Sequence, residues 1–349
     1  MFLRMKLFNC DNCQQTLYFE NNRCVSCGES VAYRCESVQL VTLKPGDRPC
    51  RNATEHDACN WLTSAADAEY CRACELSSVI PDLSDPANVL AWRRIEAAKR
   101  RLLYTLYALK LPVVGRTQDP DAGLTFRFLK STEAEPVMTG HDQGVITLNI
   151  DEADFAFREN MREKMGEGYR TVLGHLRHES GHYYWERLVR DGGWLENFRA
   201  AFGDERASYE AALERHYERG PPADWNEHFV SAYASMHPWE DWAETWAHYL
   251  HMVDTLETAQ SHGLTVRLPA AEKSGERVVT DRLAFFDFDS LNSGWNAVTL
   301  ALNSLNRSMG MKDVYPFVLS PEVLGKLRFV HDLVQRQRGG AAHQVDAAA

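Results

Sequence analysis

All nine cysteines of this 349-residue chain lie before residue 75. An odd number confined to so short a stretch does not read as a disulfide framework, and metal is the better reading. The first four are Cys10-Asp11-Asn12-Cys13 and Cys24-Val25-Ser26-Cys27, followed by Gly28. Two such pairs separated by ten residues can present four thiolates tetrahedrally to one zinc ion. Gln15 to Phe19 alternates well enough for a short strand, as in a zinc ribbon. A redox pair is the other reading of CxxC, but it would not need a duplicate.

A second set is looser: Cys50, Cys59 and Cys71-Arg72-Ala73-Cys74. These can close another four-thiolate site, with His56 as a competing ligand and ordinary buried cysteines as the alternative. Cys35 is left over, a buried or free thiol without a role. Closed sites of this kind keep no open coordination position, so they supply folding energy rather than catalysis. Their use would be docking of a protein or nucleic acid. Asp11, Glu20, Glu29, Glu55, Asp57, Asp67 and Glu69 weaken the nucleic-acid version. So does the whole chain, with 38 Lys and Arg against 49 Asp and Glu, a net charge of -11. No apolar run approaches the ~18 residues of a membrane span. The start, Met1 to Phe8, does not have the form of a signal peptide, and a cytoplasmic setting is expected.

After Ile80-Pro81-Asp82 cysteine vanishes and helical patterns begin. Ser84 or Asp85 can cap a helix that carries Trp92, Ile95, Leu102, Leu106 and Leu109 and stops at Pro112. Arg93, Arg94, Lys99, Arg100 and Arg101 are expected on its solvated faces. Leu124–Leu129 and Gly144–Ile150 read as strands, the second a plausible edge strand for an extended substrate. Beyond Glu152 the pattern is helical, with breaks at Gly192-Gly193, Gly220-Pro221-Pro222 and Gly263. Residues 264–282 read as a loop with a possible strand, and helices are expected over 288–308 and 321–336. Few strands followed by many helices make the fold class α+β.

The chemistry centres on His178-Glu179-Ser180-Gly181-His182. Two histidines four apart share one face of a helix and can bind zinc, with Glu179 placed as a general base toward an activated water. Gly181, poor in mid-helix, would let another backbone approach closely. A catalytic zinc wants a third protein ligand. Trp185 and Leu188 stand where the longer HExxHxxGxxH motif needs glycine and histidine, so that ligand lies elsewhere. Glu186 has awkward geometry for it. The better source is His237-Pro238-Trp239-Glu240-Asp241-Trp242-Ala243-Glu244. Pro238 starts a helix, and Glu240 and Glu244 fall one turn apart. One glutamate can bind zinc while the other holds a ligating histidine by its second ring nitrogen. Trp239, Trp242 and Trp246 would make the opposite side bulky. An acidic first turn favouring the helix dipole is the competing reading. His248 and His251 are alternative ligands, His175 a polar neighbour, and Asp241 a solvated dipole partner.

HESGH with a distant glutamate helix resembles the gluzincins, including thermolysin and anthrax lethal factor, the latter also in Glu240-Asp241-Trp242-Ala243-Glu244. More closely, the chain resembles bacterial zinc-binding metallopeptidases with an N-terminal zinc ribbon. The matching residues are the paired CxxC at 10–27, Cys59-Asn60-Trp61, Cys71 to Cys74, Ile80-Pro81-Asp82, HESGH and His237 to Asp241. The resemblance implies Glu240 as third zinc ligand and Tyr233, seven residues earlier, as an oxyanion donor; Glu244 remains the candidate that holds a ligating histidine, and His237 is a further candidate oxyanion donor. It implies a cysteine-rich module over 1–80 and a zincin-like catalytic domain over 81–338 with a small sheet, while the glycine- and alanine-rich end, 339–349, is expected to be a disordered tail. The activity implied is zinc-dependent hydrolysis of peptide or protein substrates, with one catalytic and two structural zinc ions. The alternative is a non-enzymatic zinc-ribbon adaptor that binds protein or nucleic acid.

Overall fold

The computed structural model describes residues 7–65, 67–165, 167–266 and 287–346. Two compact units share the chain, one of Met1–Ala108 with Pro112–Glu159, the other of Leu109–Leu111 with Asn160–Ala349.

The first unit opens with two small hairpins. β1 (Phe8–Asn9) pairs with β2 (Thr16–Leu17), and β3 (Val31–Arg34) with β4 (Gln39–Thr42), both antiparallel. A single turn, α1 (Arg51–Thr54), follows, and then β5 (Ser77–Val79). α2 (Pro86–Ala108) begins where Asp85 accepts the Ala87 amide at 2.8 Å, so Asp85 is the cap. β5, β6 (Thr125–Leu129), β8 (Val145–Asn149) and β7 (Gly140–Asp142) form one sheet in that order. β5, β6 and β8 run parallel, and β7 closes one side antiparallel. Both strands expected from the alternation are present, but β8 is paired on both sides and has no free edge. The edge-strand expectation for Gly144–Ile150 therefore fails: the edges belong to β5 and β7.

The charged residues of α2 correct a second expectation. Lys99 is fully buried and Arg100 nearly so. Lys99 bonds Ser77 and, at 2.9 Å, Glu96, and lies over the rings of Phe126 and Phe128. Arg100 donates to the Ala58 carbonyl. The helix period marked these positions as basic, but two of the five reach inward because each has a fixed acceptor there. The same contacts tie α2 and β5 to the cysteine segment. By contact, then, the first unit extends well beyond the boundary that composition places after residue 80.

α3 (Phe155–Met165) leads toward the second unit. That unit is helical: α4 (Val172–Tyr184), α5 (Leu195–Phe202), α6 (Tyr209–Arg219), α7 (Trp225–His228), α8 (Pro238–Ser261), α9 (Phe288–Ser308) and α10 (Pro321–Asp346). After α4 the chain widens into a π-helical segment, Trp185–Arg190. Helices α9 and α10 fall where the pattern predicts. α10 continues to Asp346, through the glycine pair assigned to a disordered tail. Residues 347–349, the first six residues and most of the expected loop at 264–282 lie outside the described residues. No described helix is long and apolar enough to cross a membrane.

The core of this unit is the packing of α4 on α8. A Cβ on Gly181 would come within 2.9 Å of the Ala243 Cα, so only glycine permits this approach. Trp242 donates to the Gly181 carbonyl at 2.8 Å and Trp246 to the Ser180 hydroxyl at 3.1 Å. Both indoles are fully buried, so their N–H groups find the partners that burial demands. Arg177 of α4 pairs with Asp254 of α8, both buried. At the start of α8, Asp241 is completely buried and meets Lys326 of α10 at 2.7 Å. Asp241 is therefore no solvated dipole partner. Lys326 also donates to the His228 carbonyl at 2.7 Å and lies 4.4 Å from the Phe229 ring centre.

Candidate metal centre and active site

Among the described residues, three groups of side chains converge in ways that suit a metal ion: Cys10, Cys13, Cys24 and Cys27; Cys50, Cys59, Cys71 and Cys74; and His178, His182 and Glu240.

In the first cysteine group Cys10 and Cys27 sulfurs are 3.7 Å apart, and Cys13 and Cys24 3.6 Å. In the second, Cys59 and Cys71 are 3.6 Å apart. A tetrahedron with Zn–S of ~2.3 Å has edges of about 3.8 Å, so the spacing fits four thiolates around zinc. None of the nine cysteines forms a disulfide. Backbone amides point at the sulfurs of the second group, Trp61 to Cys59 and Cys71 to Cys50, each at 3.4 Å. Arg100 adds a buried positive charge beside Cys59, Cys71 and Cys74. His56 is not in this group; its ring packs edge-on to Trp92 at 5.6 Å. Cys35 stands apart, its thiol pushed up to about 11 by burial.

The third group is built by α4 and α8. Thr171 caps α4 by accepting the Gly174 amide at 2.9 Å, and the helix then carries His178 and His182 one turn apart. His237 caps α8, its Nδ1 accepting the Trp239 amide at 3.1 Å, while Pro238 occupies the first turn. Glu240 and Glu244 follow one turn apart, as the sequence predicts. One Glu240 oxygen lies 3.0 Å from His178 Nε2, and the other lies 3.6 Å from His182 Nε2. All three ligand atoms fall within 4.8 Å of one another. Tetrahedral nitrogen and oxygen ligands at ~2.0–2.1 Å from zinc would stand about 3.3 Å apart, which these distances bracket. Glu240 Oε2 is buried and makes no hydrogen bond of good geometry, an orphan that a cation would satisfy. The donor set of two imidazoles and a carboxylate is one that zinc accepts at open sites.

Support around the three residues is dense. His178 Nδ1 meets Glu244 Oε1 at 2.6 Å, leaving Nε2 to face Glu240. Ser231 donates to the other Glu244 oxygen at 2.7 Å. Tyr209 donates to Glu240 Oε1 at 3.0 Å. The Trp239 ring lies 4.0 Å from that of His182, so this tryptophan covers the site instead of backing α8 with Trp242 and Trp246. Despite burial, both glutamates sit low, near 2, because His182 and His178 favour the Glu240 carboxylate and His178 favours that of Glu244. Glu179 is different. It is buried and accepts no hydrogen bond among the described residues. Desolvation pushes its carboxyl up to about 7, against the pull of His178.

Tyr233 sits on a short 3-10 turn, Tyr233–Ser235, with its ring 6.1 Å from that of His178. Burial, Glu240 and Tyr209 push its hydroxyl up, so it stays protonated. His237 does not serve as an oxyanion donor, because its Nε2–H is taken by the Ala207 carbonyl at 3.0 Å. Glu186 is outside the group and stands 3.7 Å from Arg190. His248 bonds the Tyr315 hydroxyl at 2.7 Å, and His251 packs among Tyr169, Trp295 and Tyr315. Tyr209 and Ser231 carry no motif spacing, and nothing in the sequence marked them. Only Ser231, two residues before Tyr233, sits near a segment already under attention.

Comparison with known proteins adds the family context. A family described as "Putative zinc-binding metallo-peptidase" matches residues 88–333, and a zinc-ribbon domain family matches residues 7–85. Uncharacterized proteins of Mycobacterium tuberculosis and Mycobacterium bovis are 44% identical over 338 residues, 95% of this chain and 95% of theirs. No solved structure matches the chain.

Proposed function

We propose, from the premise that this chain belongs to the zinc-binding metallo-peptidase family and carries an N-terminal zinc ribbon, that it hydrolyses peptide bonds at the His178–His182–Glu240 centre. The observation that carries this reading is the convergence of those three ligand atoms within 4.8 Å beside a buried Glu179.

His178, His182 and Glu240 would hold the catalytic zinc. The chemistry zinc supplies there when bound is polarisation of the scissile carbonyl and acidification of the attacking water. Glu244 fixes the ring of His178 through Nδ1 so that Nε2 faces the centre. Tyr209 fixes Glu240 in the same way through one oxygen. Glu179 accepts the proton of the attacking water and returns it to the leaving amine. A carboxyl lifted to about 7 by burial is a stronger base than an exposed one and suits that exchange near neutral pH. Tyr233, protonated throughout, donates to the developing oxyanion. Trp239 shields the His182 side from water.

The two cysteine groups are read as structural zinc sites, giving three zinc ions in all, with the ribbon available to dock a protein partner. Nine unpaired cysteines support a reducing, cytoplasmic setting. The residues 81–338 are read as the catalytic segment. A peptide-library assay on wild type and Glu179→Gln tests the proposal: wild type should cleave and chelator should stop it, while Glu179→Gln should keep its zinc and cleave nothing. A non-enzymatic adaptor would be indicated by a zinc-loaded wild type that cleaves no peptide and a Glu179→Gln chain that replaces it fully in cells.

A further inference from the structure

Beside the candidate centre, the C-terminal half of α6 and the 3-10 turn that begins at Tyr233 border an open cavity of about 270 Å³. Arg215 and Arg219 line it, with His216, Pro221, Pro222 and Ser235. Its place follows from two ring contacts. His216 stands 5.9 Å from the Tyr233 ring, which stands 6.1 Å from the His178 ring.

The two arginines are the unusual feature. They are one helical turn apart, so both face the same hollow, and like charges in that arrangement repel. Among the described residues neither guanidinium makes a hydrogen bond or an ion pair. Most other arginines of the second unit are partnered: Arg177 with Asp254, Arg199 with Glu205, Arg307 with Asp313. Arg219, in the last turn of α6, also complements the helix dipole, but Arg215 lies a turn earlier and gains little from it. Both side chains are exposed, and in a chain of net charge -11 they make this depression a local cationic patch. The cavity wall is rigid where it faces them, because Pro221 and Pro222 fix the backbone just after the helix end.

We propose that this cavity is a substrate subsite that binds a carboxylate of the peptide, so that the centre prefers acidic substrates. The inference rests on the peptidase reading for its biological use but not for its binding chemistry. A guanidinium pair matches a carboxylate through paired N–H donors; both arginines are exposed, so the attraction weakens as salt is raised. His216, whose pKa burial lowers, would stay neutral beside the arginines and add a polar contact without further charge. The carboxylate can come from a glutamate or aspartate side chain or from a free C-terminus.

The test is calorimetric binding to the full-length Glu179→Gln chain. Three peptides are compared: blocked at both ends with a central Gln, the same with a central Glu, and the Gln form with a free C-terminal carboxylate. The Glu or the free-end peptide should bind about three- to tenfold tighter than the blocked Gln peptide at low ionic strength, and which one does identifies the source. In Glu179→Gln/Arg215→Gln/Arg219→Gln that advantage should vanish, and unfolding midpoints check that the variant keeps its fold. Equal binding of all three peptides, or an advantage that survives the arginine substitutions, overturns the subsite. If the advantage is present while wild type cleaves no peptide, the subsite stands and the peptidase reading falls. If wild type cleaves and the three peptides bind alike, the reverse holds.

Discussion

His178 and Glu244 are joined at 2.6 Å through the imidazole Nδ1, the nitrogen that faces away from Glu240. This one contact fixes the tautomer and the ring plane of a metal-ligand candidate. It does so from the same helix that supplies the third ligand. Replacing Glu244 with Ala should leave the protein folded but weaken zinc at this centre about 10–100-fold. Competition with a chromophoric chelator measures it. An unchanged affinity would mean that the ring is held by packing alone.

Gly181→Ala should destabilise, although alanine is ordinarily better than glycine in a helix by about 0.5–1 kcal/mol. The new methyl would meet the Ala243 Cα at 2.9 Å and the Trp246 Cδ1 at 3.2 Å. α4 and α8 must then move apart, at a cost of about 1–3 kcal/mol. Urea unfolding gives the sign directly, and a stabilised variant would contradict the close packing.

Much of this site was legible because spacing alone specifies it. His178 and His182 share a face by helical period, Pro238 marks the start of α8, and Gly181 announces a close neighbour. What spacing could not reveal was the choice among charged residues. Lys99, Arg100 and Asp241 sit at positions that helical charge patterns assign to solvent, yet each is buried because a partner distant in sequence waits for it. Asp241 needs Lys326, 85 residues on. Tyr209 is 31 residues from Glu240 and belongs to a different helix, so no local pattern joins them. The strand at 145–149 was recognisable, but its place inside the sheet depends on pairing with both β6 and β7, which residue types do not encode.

The Asp241–Lys326 pair makes a sharper energetic prediction. Lys326→Met leaves a carboxyl in a site where desolvation already pushes it up to about 7 with the lysine present. That single change should cost about 3–5 kcal/mol. Adding Asp241→Asn removes the uncompensated group, so the double variant should be more stable than Lys326→Met alone. Denaturant midpoints of wild type, Lys326→Met, Asp241→Asn and the double variant decide it, and strict additivity of the single effects would contradict the pairing.

His141 predicts an acid limb to stability. Its Nε2 accepts the Gly144 amide at 3.0 Å, and burial lowers its pKa from 6.5 to about 4. Between those values the unfolded chain binds a proton that the folded chain does not. Stability therefore falls as pH drops from about 6.5 to 4, and this contribution is flat outside that window. His141→Gln, which does not titrate, should show a shallower loss over the same interval. Parallel curves for the two proteins would refute the assignment.

The proposed centre would add a zinc ion on His178, His182 and Glu240 to those of the two cysteine groups. Native mass spectrometry of the full-length protein tests it most directly. Wild type should hold three zinc ions, and His178→Ala should hold two with the cysteine sites still filled. An unchanged zinc count in His178→Ala/His182→Ala would contradict the account.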